Sequence, residues 1–487
     1  MASKIQQLSE LEHVLCNNEN THNGVLGFYS QFKIAHLIRP FEAIKSKGIG
    51  VGILIYFFCI SRLRGLSICA MQQDKNKVIF SGDDNSFYRL MNNAHMNWRK
   101  LLLSFAKQFI DLTQTHGDKN NNVKCFIIDD TLLEKTGKTF EFMGRVFDHV
   151  TRKYLLGFKM LVLAYWDGKS LIAADFSLHR EKGKSDNYGM NQKEQKAQFH
   201  KNRPINAPSR KRVEELDEKK TEVVITMIKR AVKNGLMVSY VLMDSWFTND
   251  HMIKSIRAIK QGAIHLLGMC KMDGRKYNIK DGRELNSHQI IKRYERRKGK
   301  YSRKHKSHYI KVVADYKGET VKLFFIRYHN SKEWKLLLTT DLKLQFVQAL
   351  ELYQIRWTIE VMFKECKQYL RLGRSQNTDF DGQIADATIV LITHTILTLQ
   401  RRFEAYETMG ELFRESQQYL LELTLWERIL KVFIKMLQQL LEIVSLDVEE
   451  TIEKIMKSQK AGQQLLAMLT ALKDFNNNPG YKSKTAA

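Results

Sequence analysis

Between Val123 and Cys270, short β-branched and aromatic runs alternate with amphipathic helical stretches. That alternation restricts the segment to a mixed α/β fold around a central sheet. Val123–Thr131 (VKCFIIDDT) reads as a buried strand that runs into acids. Tyr154–Trp166 and Ser170–His179 read as two more strands, joined by the hairpin signal Asp167-Gly168. Residues 181–212 form a polar, basic loop that holds Pro204 and Pro208, and a loop of this length is usually functional or disordered. Lys211–Lys233 has amphipathic helical spacing, Ser239–Met243 is a buried strand leading into Asp244, and a helix at 249–261 precedes a strand at Ala263–Cys270.

The flanks differ from this centre. Residues 1–115 read as a helical N-terminal domain, a candidate for DNA-end binding or for packing alone, since no helix-turn-helix signature stands out. Its most apolar run, Gly48–Ile60, is too short to span a bilayer and fits a buried helix. Residues 271–333 are rich in Lys, Arg and Tyr, with alternating segments at Tyr309–Ala314 and Val321–Arg327, and read as a basic β-rich insertion. Trp334–Thr340 reads as a strand, and a helix is expected over 345–372. From Gly382 onward the pattern is helical, with Leu-rich segments at 384–403, 417–444 and 448–473 that suit dimerisation or packing.

Composition narrows the partners. At 44% hydrophobic residues the chain is not a mainly disordered one. Its 78 Lys and Arg against 52 acids, a net charge of +26, call for a large anionic partner. With no spanning segment and no signal-peptide layout in MASKIQQLSE, nucleic acid is expected rather than membrane. The six cysteines form no C-x-x-C pair and no His cluster has zinc spacing, so they read as buried thiols in a reducing compartment.

Three acids stand out. Asp130 and Asp244 end strand-like runs, where ligands gather in α/β sheets, and Glu360 lies in the helical stretch Tyr353–Lys367. On an ideal helix Tyr353, Arg356, Glu360, Lys364 and Lys367 share roughly 80° of arc. An acid among cations on one face suits a metal ion and phosphates. Convergent carboxylates without His or Cys favour Mg²⁺ or Mn²⁺, and a pair of such ions suits phosphoryl transfer. Singly, each acid has a plainer reading: Asp129, Asp130 or Asp244 as a helix cap, and Lys364 as the i+4 partner of Glu360.

With these residues assembled, the chain resembles a bacterial insertion-sequence transposase of the DDE type, in the IS-four group. The signature Y-(2)-R-(3)-E-(6)-K is met by Tyr353, Arg356, Glu360 and Lys367. The resemblance covers roughly 120–400. It implies a ribonuclease-H-like core in two parts, 116–270 and 334–400, interrupted by the insertion 271–333 and followed by a helical C-terminal region, 401–487. It implies Asp130, the aspartate directly before Thr131, as the first catalytic acid, with Asp244 and Glu360 completing the set. These three would hold two Mg²⁺ or Mn²⁺ ions. Tyr353, Arg356 and Lys367 would grip DNA phosphates, with Lys364 assisting. Trp334 stands either for a base-stacking residue of hairpin-forming relatives or for a structural edge Trp.

The run Lys292–Lys311 holds ten Lys or Arg and one acid, and Arg296, Arg297, Lys298, Arg303 and Lys304 are its candidate DNA-backbone contacts. The expected activity is strand cleavage and strand transfer on double-stranded DNA, element ends and target alike. A homodimer would bridge two ends in the bacterial cytoplasm, beside the nucleoid. The alternatives are a cleavage-only nuclease of the same fold, a DNA-binding protein that has lost catalysis, and a basic RNA-binding scaffold.

Overall fold

The computed structural model describes residues 34–45, 47–73, 84–115, 123–279 and 282–403. The Leu-rich segments 417–444 and 448–473, offered above for dimerisation, lie outside them. Among the described residues five helices come first: α1 (Ile34–Glu42), α2 (Val51–Leu63), α3 (Ile68–Gln73), α4 (Asp84–Met91) and α5 (Trp98–Thr115). The short apolar run is α2, with Leu54, Ile55 and Phe58 fully buried. Its first amides find a cap from outside the helix, since Glu42 accepts from the N–H groups of Val51 (2.8 Å) and Gly52 (2.9 Å).

The core follows as β1 (Cys125–Glu134), β2 (Gly144–Asp148), β3 (Lys153–Trp166), β4 (Leu171–His179), α6 (Gln192–Lys196), α7 (Pro208–Glu214), α8 (Lys220–Lys233), β5 (Tyr240–Met243), α9 (Asp250–Ala258) and β6 (His265–Cys270). Within the sheet the order is β4-β3-β1-β5-β6. β3 is antiparallel to its neighbours β1 and β4, while β1, β5 and β6 run parallel. This is the ribonuclease-H-like arrangement. All four residues of β5 are buried, as expected of a central parallel strand.

The expected helix over 211–233 is two helices, α7 and α8, and the expected loop 181–212 contains α6 and the start of α7. Between α7 and α8 the chain is held by Asp217, which accepts from Arg180 at 2.8 and 2.7 Å.

The basic segment forms β7 (Lys276–Ile279), β8 (Glu284–Asn286), α10 (Ser287–Lys298), β9 (Lys300–Ser302), β10 (Ser307–Tyr316) and β11 (Glu319–Tyr328), and β12 (Lys335–Thr339) returns from it. β12 pairs with both β6 and β11, so the insertion extends the core sheet instead of forming its own. A helix inside this segment was not expected. It starts where Asn286 and Gln289 form a reciprocal capping box, with bonds of 3.0 and 2.9 Å.

The chain then forms α11 (Phe346–Gln354), α12 (Trp357–Gln368) and α13 (Phe380–Phe403). Among the described residues α13 is the one helix long and apolar enough to cross a membrane, and that stretch is buried inside the protein. Thr388, Thr393 and Thr395 satisfy their buried hydroxyls on carbonyls one turn back, at 2.8, 2.8 and 2.9 Å.

On β4, His179 is buried and shares a 2.7 Å hydrogen bond with Ser177. Burial, then the Lys220 ammonium, pulls its pKa down to about 4. The unfolded chain takes up this proton near pH 6.5, and the fold refuses it until about 4. Stability should therefore fall as the pH drops from 6.5 toward 4. By pH 5 the wild type should lose about 2 kcal/mol more than His179→Gln, measured as urea midpoints at pH 7 and 5.

Candidate active site

The last registered pair between the parallel strands β1 and β5 is Ile127 with Leu242. Two residues further along each strand stand Asp129 and Asp244. Side chains on a strand alternate faces with a period of two, so continuing the register sends both carboxylates out on one side. Asp130 leaves β1 on the other. Asp129 and Asp130 both lie within β1, which continues to Glu134, so neither of these two caps a helix.

Helix α12 supplies the groups that meet the Asp129 side. Arg356, at its N-cap, donates through Nη1 to Asp129 Oδ2 (2.8 Å) and through Nη2 to Glu360 Oε1 (2.7 Å). One guanidinium thus joins two of the acids. Near the other end of α12, Lys367 Nζ donates to Thr131 Oγ1 (2.7 Å), on the same side of β1 as Asp129. Asp130 accepts instead from Lys220 Nζ (2.6 Å), at the start of α8. The acid that the resemblance assigns as catalytic is therefore paired away from Arg356 and Glu360, and its neighbour takes the place beside them.

Asp244 is fixed by the turn it opens. Its Oδ1 accepts from the N–H groups of Trp246 (2.9 Å) and Phe247 (3.2 Å), and Thr248 Oγ1 donates to its carbonyl (2.7 Å). Gly268 on β6 makes room for this turn, because a Cβ there would stand 2.3 Å from Thr248 Oγ1 and 3.1 Å from the Met243 carbonyl. Gly268→Ala should displace the Asp244 turn and lower stability by about 1–3 kcal/mol. A thermal melt alongside a DNA cleavage assay checks it, and cleavage should fall further than the folded fraction does.

The electrostatics mark Asp129. Burial pushes its pKa up to about 6, against the pull of Arg356 and the N–H of Asp130, and Asp244 and Asp130 push it further the same way. A carboxylate raised by burial and like charge is one that a cation would restore to its ionised form. Tyr353 is pushed up to about 12, chiefly by burial, so its phenol keeps its proton and can donate. Burial, followed by Lys159, holds the Lys367 ammonium below the usual lysine range.

The single helix expected over 345–372 is interrupted at 355–356. Ile355 and Arg356 keep helical dihedrals, but their N–H groups bond three residues back, to Leu352 (3.2 Å) and Tyr353 (3.0 Å). This tightened turn stacks residues three apart, which sets the Arg356 guanidinium 5.9 Å from the Tyr353 ring. Tyr353 and Arg356 therefore come together across a helix junction. Lys364 is exposed on α12 and, among the described residues, forms no ion pair with Glu360.

The remaining candidates lie in or beside the insertion. Trp334 precedes β12 with the Arg327 guanidinium 4.9 Å over its ring. Arg296, Arg297 and Lys298 are exposed in the last turn of α10, where cations also complement the helix dipole. Arg303 is exposed in the turn before β10, and Lys304 beside it pairs with Glu351 of α11.

Asp129, Asp244 and Glu360 offer oxygen donors only, which fits a hard divalent cation. Among the described residues no three acids, histidines or cysteines stand at metal-holding spacing. The Arg356 guanidinium, bonded to two of the three acids, supplies a positive charge between them.

No curated protein matches the chain. The model of one family, described as DDE superfamily endonuclease, matches residues 62–317. The match spans over half of the chain, including Asp129, Asp130, Asp244 and most of the insertion. With the ribonuclease-H-like strand order, it shows that the chain belongs to the DDE superfamily endonuclease family.

Proposed function

We propose that the chain is a DDE transposase of the IS-four group. It would cut the ends of its own insertion sequence and join the freed 3′-hydroxyls to target DNA. The observation that carries this reading is that Asp129 and Asp244 each stand two residues beyond the parallel pair Ile127–Leu242, with Glu360 tied to Asp129 through Arg356. Asp129, Asp244 and Glu360 would hold Mg²⁺ or Mn²⁺. The resemblance favours Asp130 as the first acid, whereas the register and the Arg356 contact support Asp129. Bound in pairs, such ions would activate an attacking oxygen and steady a leaving one.

The protein's own groups do the rest. Arg356 offers a planar fork and Lys367 a point charge to phosphates beside the cut. For Arg356 this means releasing the carboxylates it now bridges. Tyr353, kept protonated, can donate to a phosphate oxygen. Trp334 would stack on a flipped base only after leaving Arg327, which favours its structural role. Arg296, Arg297, Lys298 and Arg303 would track the duplex backbone, with Lys304 and Lys364 in lesser parts. A homodimer in the bacterial cytoplasm, bridging two element ends, completes the reading.

The test is a strand-transfer assay with pre-cut element ends, target plasmid and Mg²⁺. Joined products are expected. Cleavage of uncut ends without joining would favour a nuclease that only cuts, and binding with neither would favour an inactive relative.

A further inference from the structure

Between α5, α7 and α8 lies a cavity of about 260 Å³, lined by Trp98, Arg99, Ser209, Arg212, Arg230 and Asp381 among others. None of Asp129, Asp244 and Glu360 lines it, so it is separate from the candidate active site.

Buried polar atoms are normally paired. Here four atoms of one lining have no hydrogen-bond partner: Trp98 Nε1, Ser209 Oγ, Arg212 Nη2 and Arg230 Nη2. Trp98, Ser209 and Arg212 are only 3%, 6% and 4% exposed. All four atoms can donate. The single carboxylate in the lining, Asp381, has both oxygens engaged by Arg203 and Lys201, at 3.1 and 2.8 Å.

The charges around the cavity leave a cation over. Arg99 donates to Asp175 (3.0 Å) and Glu215 (2.5 Å), and Arg230 donates to the second oxygen of Asp175 (2.8 Å). Arg212 comes no nearer than 3.9 Å to Asp175 and 3.7 Å to Glu215, and its Nη1 is taken by the Phe176 carbonyl. Arg230 Nη2 stands 3.9 Å from Glu215. Three guanidiniums therefore share two buried carboxylates, and Lys211 adds a fourth cation to the lining. Buried charge of one sign calls for a counter-ion. Burial, then Arg99, pulls Arg212 down to about 9, which still leaves it charged near neutral pH.

We propose that this cavity binds a small phosphate-bearing anion, gripped by Arg212 and Arg230 and oriented by Ser209 and Trp98. Separate donors on four residues suit a tetrahedral oxyanion better than a planar carboxylate with two oxygens. The volume falls below the ~300–1,000 Å³ typical of sites for drug-sized ligands, so the phosphate travels free or on a compact carrier.

The test uses the full chain, with inorganic phosphate and a deoxynucleoside 5′-monophosphate as probes and chloride at matched ionic strength as control. Thermal midpoint and tryptophan fluorescence are the readouts. Phosphate or the monophosphate should raise the midpoint and chloride should not. A tighter monophosphate points to a nucleotide source, and equal affinity to free phosphate. Ser209→Ala and Trp98→Phe, chosen because each removes one donor, should each weaken binding about tenfold. Equal stabilisation by chloride, unchanged affinity in both variants, or binding of duplex DNA alone would overturn the proposal.

Discussion

Asp129→Asn should lower metal-dependent DNA cleavage by on the order of a thousandfold, while Asp130→Asn should lower it by less than about tenfold. The amide keeps the shape of the carboxylate and removes its charge. At Asp129 that charge binds Arg356, which also holds Glu360, and lies near Asp244, where a cation would be held. At Asp130 the loss is one partly exposed ion pair with Lys220, the kind of contact worth about 1 kcal/mol or less. Both variants should bind duplex DNA within about twofold of wild type, because the loss concerns charge stabilisation and not backbone grip. Single-turnover cleavage of a labelled element end, with anisotropy for binding, separates the two acids. A dead Asp130→Asn beside an active Asp129→Asn would sink the register argument and restore the assignment drawn from the resemblance.

That contrast also shows where sequence reading stops. The strands at β1, β3, β4 and β5 were legible because buried strands need continuous β-branched and aromatic runs, and because Asp167-Gly168 marks its own hairpin. Asp244 stood out because it directly follows such a run. The doublet Asp129-Asp130 was not resolvable by spacing, since one residue inverts the face and only the pairing with β5 fixes which face meets α12. Lys220 was invisible as a partner for the same reason, standing 90 residues from Asp130. The helix α10 was hidden by its charge, although Asn286 and Gln289 spelled a capping box that could have exposed it. The junction at Ile355–Arg356 has no sequence mark at all, because both residues keep helical dihedrals and only the hydrogen-bond partner changes.

Two cations of the basic loop at 181–212 are built into the core. Arg203 donates to Glu141 at 2.8 and 2.6 Å, to Asp381 at 3.1 Å and to Asp379 at 3.3 Å, and its side chain is 2% exposed. Lys201 shares Asp379 and Asp381, each at 2.8 Å. The network ties the loop to the start of α13, where the Phe380 N–H also donates to Glu141 (3.0 Å). Arg203→Ala would leave three carboxylates facing one lysine in a buried setting, so a loss of about 3–5 kcal/mol is expected. Arg203→Lys keeps the charge but not the planar fork that serves three acids at once, and should fall between wild type and alanine. Urea unfolding followed by circular dichroism measures both. DNA affinity, corrected for the folded fraction, should stay within about twofold of wild type. A stable Arg203→Ala protein with weakened DNA binding would place this arginine on a DNA-binding surface instead. Uncorrected affinity cannot make that distinction, because a protein short of several kcal/mol loses binding simply by losing folded molecules.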